Sequence, residues 1–409
     1  MRRAGLSAIG FILLILLASC VHRKETDDPV KRTVLVYIAA DNNLHGNANP
    51  NIYSMNSSIR NGMKGANLLV YVDRYNKKPA LLHIHDNKID TLISYKERNS
   101  TDPAVLAELI DYMKTNWPAD SYGLILWSHG TGWIPTSQLH FVAPNLNYAQ
   151  SREGGSTPVS YNPVLNQRYP RSYFTKAFAL EERPQKDPPY ECMEISWLAW
   201  AIPDGLFDYI AFDACYMGNV EVLYELRKKA RYIVSSCYEI VSYGFPYHIV
   251  TRDFLNGNLM KVCREFFNYY NGMSGWERMG GISLVKTEGL DSLANCFSKI
   301  VAEQKELIPD MDVSKIQHFD TFRNHVFYDL EDFVDNLGTN NDYKKEFQAQ
   351  LEKCIPYKIT TPYIFPDDVD SIKVNKFCGL SVYIPLRKYE SAGLNDDYRK
   401  LEWSIDTGY

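Results

Sequence analysis

Cysteine is scarce, with eight in 409 residues, which excludes a fold held together by disulfides. None stands in a Cys-x-x-Cys pair, so zinc-knuckle and thioredoxin-like chemistry have no support. Basic residues do not predominate. The 44 Lys and Arg against 49 Asp and Glu give a net charge of −5, and the basic footprint of a general nucleic-acid binder is missing. There is no internal repeat and no low-complexity tract. Charge is modest at 23%, while 45% of residues are hydrophobic and 13% aromatic. That composition excludes a mostly disordered chain and leaves ample material for a core.

The one long apolar run lies at the N-terminus. Met1-Arg2-Arg3 precedes Ala4–Leu17, which is almost wholly apolar, and Leu17-Ala18-Ser19-Cys20 follows. This is the layout of a secretory signal, too short for a membrane span of about 20 residues. Its last four residues resemble a bacterial lipobox. The resemblance implies a signal peptide over 1–19 and lipid attachment at Cys20, with ordinary secretion as the plainer alternative. Val21–Arg32 is polar and charged, so 20–32 reads as a flexible tether ahead of one domain over 33–409. The expected location is the bacterial cell envelope, at the outer membrane or cell surface, with the membrane met through the lipid. Cys192, Cys215, Cys237, Cys263, Cys296, Cys354 and Cys378 remain. An odd number leaves at least one thiol unpaired within the chain.

Beyond the tether the pattern is α/β. Thr33–Ala40, Asn67–Asp73, Ala80–His85, Ile89–Ser94, Tyr122–Trp127, Asp208–Asp213, Tyr232–Ser236 and Cys378–Pro385 read as strands. Helical spacing appears in Pro103–Trp117, Met193–Ile202, Asn219–Lys229, Leu259–Tyr270, Leu290–Glu306, Val326–Leu337 and Lys344–Leu351. Continuous apolar strands alternating with helices predict a mostly parallel sheet covered on both faces. Pro135–Tyr190 breaks the pattern: rich in Pro, Asn, Ser, Tyr, Arg and Gly, it reads as an irregular insert of about 135–190.

Two strand ends carry chemistry. Leu124–Trp127 delivers Ser128-His129-Gly130-Thr131-Gly132, and Ile210–Asp213 delivers Ala214-Cys215-Tyr216. Ligands bind at the carboxyl ends of strands in open parallel sheets. A thiol beside an imidazole is a nucleophile with its proton carrier, and the following helix N-terminus and the histidine partner are expected to lower the thiol pKa. Taken singly, a strand-end histidine is also a capping residue and a strand cysteine is also packing.

The strings Tyr122–Trp133 and Asp208–Leu226 resemble the clostripain family of cysteine peptidases, relatives of caspases, legumains and gingipains. Thr33–Leu44, Tyr243–Tyr247 and Cys378–Pro385 match it too, in order along the mature chain. The resemblance implies a caspase-like three-layer α/β/α sandwich, His129 and Cys215 as the catalytic pair, and Asp213 lining the S1 pocket. Asp213 sits two residues before the thiol, on the same strand side, where it suits a guanidinium fork; its plainer role is to cap the next helix or to orient a neighbouring loop. Backbone N–H groups of Gly130 and Cys215 are the oxyanion donors by the same analogy. The implied activity is an endopeptidase cutting protein or peptide substrates after Arg, with Lys as the second choice, through a thioester. No metal or other cofactor is required for that chemistry, although calcium supports some members; no EF-hand spacing is present.

The chain departs from the family pattern at the insert, where self-cleavage is expected after Arg152, Arg168, Arg171, Lys176, Arg183 or Lys186. It departs again at Cys237–Ser242, where Glu239 is the acid available to shape S1. His83 and His85 on one strand side suggest a metal, against a solvated strand face. Asp41-Asn42-Asn43 reads as a structural turn. The rival reading is a catalytically silent, envelope-anchored binding lipoprotein on the same scaffold.

Overall fold

A computed structural model describes residues 31–142, 178–182 and 190–409. The signal, Cys20 and most of the insert lie outside the described residues. Nine strands form the central sheet: β1 (Arg32–Ala40), β2 (Ala66–Arg74), β3 (Lys77–His85), β4 (Lys88–Ser94), β5 (Ser121–Trp127), β8 (Phe207–Asp213), β9 (Ala230–Ser235), β10 (Gly281–Lys286) and β12 (Tyr357–Thr360). Their order is β12-β10-β9-β8-β5-β1-β2-β3-β4. The five central strands, β9-β8-β5-β1-β2, are mutually parallel, and antiparallel pairs close both flanks. β1, β5 and β8 bury nearly every residue, as strands covered on both faces must.

Helices cover the two faces. α1 (His45–Ser58), α6 (Tyr247–Asn256) and α7 (Leu259–Asn271) pack in series as one layer. The other holds α2 (Pro103–Asn116), α4 (Ile195–Ala201), α5 (Val220–Glu225), α8 (Leu290–Gln304), α10 (Asn341–Cys354) and α12 (Glu402–Thr407). The expected three-layer α/β/α sandwich is what the chain forms, with a sheet that is parallel in its core and antiparallel at its flanks. Among the described residues no helix is long and apolar enough to cross a membrane.

Several elements differ from expectation. Cys378–Pro385 does not join the main sheet: only Ser381–Val382 pairs, with Tyr328–Asp329. The donors a sheet neighbour would need go elsewhere, Tyr383 N to Glu221 Oε1 and Ser381 N to Gly218 O. Asn219–Lys229 shortens to α5, capped by Asn219 Oδ1 accepting from Val222 N, because Ala230 already begins β9. Val326–Leu337 shortens to Leu330–Asn336 (α9), where buried Asp329 caps the start. Within the insert, Leu139–Val142 (α3) is helical, and β6 (Phe178–Glu182) pairs antiparallel with β7 (Tyr190–Met193). α1, α6, β10 and β12 had no clear sequence signal.

Candidate active site

The register between β5 and β8 aligns Trp127 with Asp213. Ser128 N donates to Asp213 O at 3.3 Å, so the two chains stay together past the last paired residues. His129 and Cys215 each lie two residues beyond that pair. The backbones then touch. A Cβ on Gly130 would overlap the carbonyl oxygen of Cys215 and the sulfur of Met217, so only glycine fits there.

His129 is buried, and its Nε2 lies 2.6 Å from Asn43 Oδ1. The amide accepts from an imidazole N–H and fixes which ring nitrogen carries the proton. Asn43 comes from the turn after β1, the strand beside β5. Reading Asp41-Asn42-Asn43 as a turn described its backbone and missed this side chain. Nothing local in the sequence marks it, because strand order alone brings it to His129.

Cys215 is half-buried, and its Sγ accepts from Ile240 N at 3.3 Å. Its pKa is raised: burial penalises the thiolate first, and the carboxylates of Glu239 and Asp213 add to it. This corrects the expectation of a helix-lowered pKa. The next helix begins five residues later and spans six, too far and too short to offset two carboxylates. Tyr216 turns the chain at φ +57°, rare for a bulky residue. Its hydroxyl donates to Glu239 Oε1 at 3.0 Å, and its ring stacks on Phe327 at 4.9 Å.

Asp213 is 4% exposed and accepts from Phe245 N at 3.0 Å and Tyr247 Oη at 2.8 Å. Burial outweighs both hydrogen bonds and pushes its pKa up to about 7. Among the described residues no basic side chain pairs with it. Gly244, at φ +69°, passes so close that a Cβ would collide with the carboxylate. Asp213 is therefore not a cap on α5, which Asn219 provides; its two hydrogen bonds hold the neighbouring Tyr243–Tyr247 loop, the plainer of its expected roles.

The insert reaches this place. Phe178 forms an isolated antiparallel bridge with Gly130, is fully buried, and packs edge-on to Phe212 at 6.2 Å. The His83 and His85 rings stack at 4.4 Å, and His85 Nε2 lies 2.8 Å from Asp90. Its Nδ1 lies 3.4 Å from Asp86 Oδ2, so both ring nitrogens of His85 face carboxylates.

A family model described as the clostripain family matches residues 36–152 and 172–406. A curated relative, clostripain from Hathewaya histolytica, is 28% identical over 247 residues, 53% of this chain. The match spans 41% of that relative's length. The inactive zymogen of a C11 protease from Parabacteroides distasonis superposes with a TM-score of 0.74 at 31% identity, covering 93% of this chain and 99% of that one. A secreted C11 cysteine protease from Bacteroides thetaiotaomicron, in complex with an irreversible peptide inhibitor, gives 0.73 at 26% identity, covering 92% and 99%.

Proposed function

The chain belongs to the clostripain family of cysteine peptidases, and from that premise we propose that it is an endopeptidase cutting after Arg, and after Lys, by a Cys215–His129 dyad. The observation that carries this reading is the β5–β8 adjacency, which sets one thiol and one imidazole on neighbouring strand ends. At rest the thiol is neutral. Substrate binding brings the carbonyl to Cys215 as His129 takes the thiol proton, and the sulfur attacks. His129, oriented by Asn43, then gives that proton to the leaving amine. The backbone N–H groups of Gly130 and Cys215 serve the developing oxyanion. Water enters, His129 takes its proton, and the thioester hydrolyses to free acid and thiol. No step calls for a metal or another cofactor, and calcium has no assigned part in it.

Asp213 supplies the basic-residue preference. A buried carboxyl with no cationic partner is costly to ionise, and an arriving guanidinium provides the missing charge. Glu239 adds a second carboxylate whose charge also reaches the thiol. The bridge from Phe178 to Gly130 supports self-processing: cleavage in the insert releases the strand held against the His129 turn. The candidate basic residues from Arg152 to Lys186 lie outside the described residues. Cys20 lipidation would hold the enzyme at the bacterial envelope.

Fluorogenic peptides with Arg, Lys, Asp or Asn at P1 test the reading. Turnover of Arg and Lys peptides, absent in Cys215→Ala, supports it; preference for Asp or Asn overturns the S1 assignment. An Arg-directed chloromethyl ketone should add to Cys215 and fail in His129→Ala. Identical single bands from wild type and Cys215→Ala after long incubation would remove self-processing.

A further inference from the structure

Asparagine is a weak helix former, yet it recurs every fourth residue where α1 begins: Asn43 in the turn, then Asn47 and Asn51 within the helix. Residues four apart lie on one helix face, and this row meets the candidate active site at each step. We propose that Asn47 and Asn51 are positioning residues: they fix the 242–247 loop, which packs on Asp213, against the strand that delivers His129. This role rests on the S1 assignment of Asp213 made above.

The hydrogen bonds run in series. Asn43 accepts from His129. Asn47 Nδ2 donates to Ser242 O at 2.8 Å. Asn51 is buried, and its amide bridges two elements: Nδ2 donates to Tyr243 O at 3.1 Å while Oδ1 accepts from Trp127 Nε1 at 3.0 Å, the one orientation that satisfies both ends. The next carbonyl, Gly244 O, accepts from Tyr270 Oη of α7 at 2.5 Å. Three consecutive carbonyls are thus held by side chains of one helix layer, and the amide that follows them, Phe245 N, donates to Asp213.

Trp127 is the register partner of Asp213 and precedes His129 by two residues. Asn51 therefore joins the loop that binds the S1 carboxyl to the strand that carries the base, and Asn43 joins the same helix to the imidazole. A P1 side chain seated on Asp213 can present its carbonyl to Cys215 only while this spacing holds, and small displacements of a reacting group are costly. The loop cannot shift without breaking the hydrogen bond from buried Asn51, and a buried polar group is expensive to leave unpaired.

Steady-state kinetics and hydrogen exchange on the full chain test this with Asn47→Ala and Asn51→Leu. On Arg peptides KM should rise about tenfold in Asn51→Leu and by less in Asn47→Ala, the scale of one lost buried hydrogen bond, with kcat nearly unchanged. In an Asp213→Asn background, Asn51→Leu should lower kcat/KM by less than about twofold, because residues that act through one another are not additive. Iodoacetamide should label Cys215 at the wild-type rate, and the Phe245 amide should exchange faster in both variants. Should Asn51→Leu melt early, Asn47→Ala carries the test. Wild-type KM and wild-type exchange in a folded variant overturn the proposal, as does a loss of the same size with and without Asp213. Wild-type enzyme that leaves Arg peptides uncut would instead remove the P1 reading, and unaltered exchange at Phe245 would by itself remove the anchoring role of the two asparagines.

Discussion

Asn43, His129 and Cys215 are side chains from three adjacent strand ends, and each is tuned by its neighbour. The raised thiol pKa means that little thiolate exists before substrate arrives. Iodoacetamide should therefore label Cys215 slowly at pH 7, far more slowly than an Arg-directed chloromethyl ketone that brings its own cation to Asp213; equal rates would contradict a neutral resting thiol. Asn43→Ala leaves the imidazole free to tilt. Misplacing a reacting group by about 1 Å costs on the order of 10²-fold, so kcat should fall by about that factor with KM nearly unchanged, as read from steady-state kinetics. Asp213 titrates at about 7 in the free enzyme. A bound guanidinium favours its ionised form, so KM for Arg peptides should decrease as pH rises through 7. Asp213→Asn should lose that pH dependence; its persistence would assign the limb to another group.

Elements hold this geometry through close approach and capping. The turn after β5 packs its backbone on that of Cys215, and Gly130 is what allows it. Gly130→Ala forces the two strand ends apart. Overpacking of this kind costs about 1–3 kcal/mol, and urea melts should show that loss together with loss of peptidase activity. Asn219 caps α5 and also donates to Tyr216 O. Asn219→Ala should cost about 1–2 kcal/mol, and the displaced Tyr216 should make activity fall further than stability. A short helix held by one cap was hard to read from sequence, since the apolar spacing of Asn219–Lys229 continues past the point where the chain must turn into β9.

At the scale of the whole molecule, several carboxyls are buried without a cation among the described residues. Asp213, Glu221 and Asp329 are raised by burial to about 7, about 8 and about 6, against about 3.9–4.3 in an unfolded chain. Raised folded values mean that the native state holds more protons than the unfolded one between about pH 4 and 8. Their contribution to stability is full below about pH 4 and is lost as pH rises through 6 to 8. The melting temperature should be higher at pH 5.5 than at pH 8.0, and Glu221→Gln should flatten the difference; a melting temperature that climbs toward pH 8 would contradict it. The parallel sheet also separates its two ends. The chain enters β1 at Arg32, tied to Asp208 at the start of β8, whereas His129 and Cys215 lie past the opposite ends. A nine-residue strand spans about 30 Å, which separates the catalytic end from the Arg32 end, where a tether from Cys20 would join the domain. Peptide turnover should then be equal for membrane-bound enzyme and a soluble Cys20→Ala form.

The sequence by itself determined the class of fold. Unbroken apolar strands alternating with helices fit a covered parallel sheet, and residues just past such strands lie at its ligand-binding edge; the places of His129 and Cys215 are legible on that ground, whereas the S1 role of Asp213 came only with the family resemblance. Strand order is a long-range property, and only the tertiary structure decided it. It set β5 beside β8 and β1 beside β5, and so gave His129 its partner Asn43. It placed Glu239 and Asp213 around a thiol whose pKa they raise, where the local pattern of a strand followed by a helix pointed downward. It diverted Cys378–Pro385 from the sheet, because the backbone donors of that apolar run were taken by Glu221 and Gly218. Burial and long-range pairing, which no window of sequence contains, set protonation states and partners; periodicity, which every window contains, set the elements.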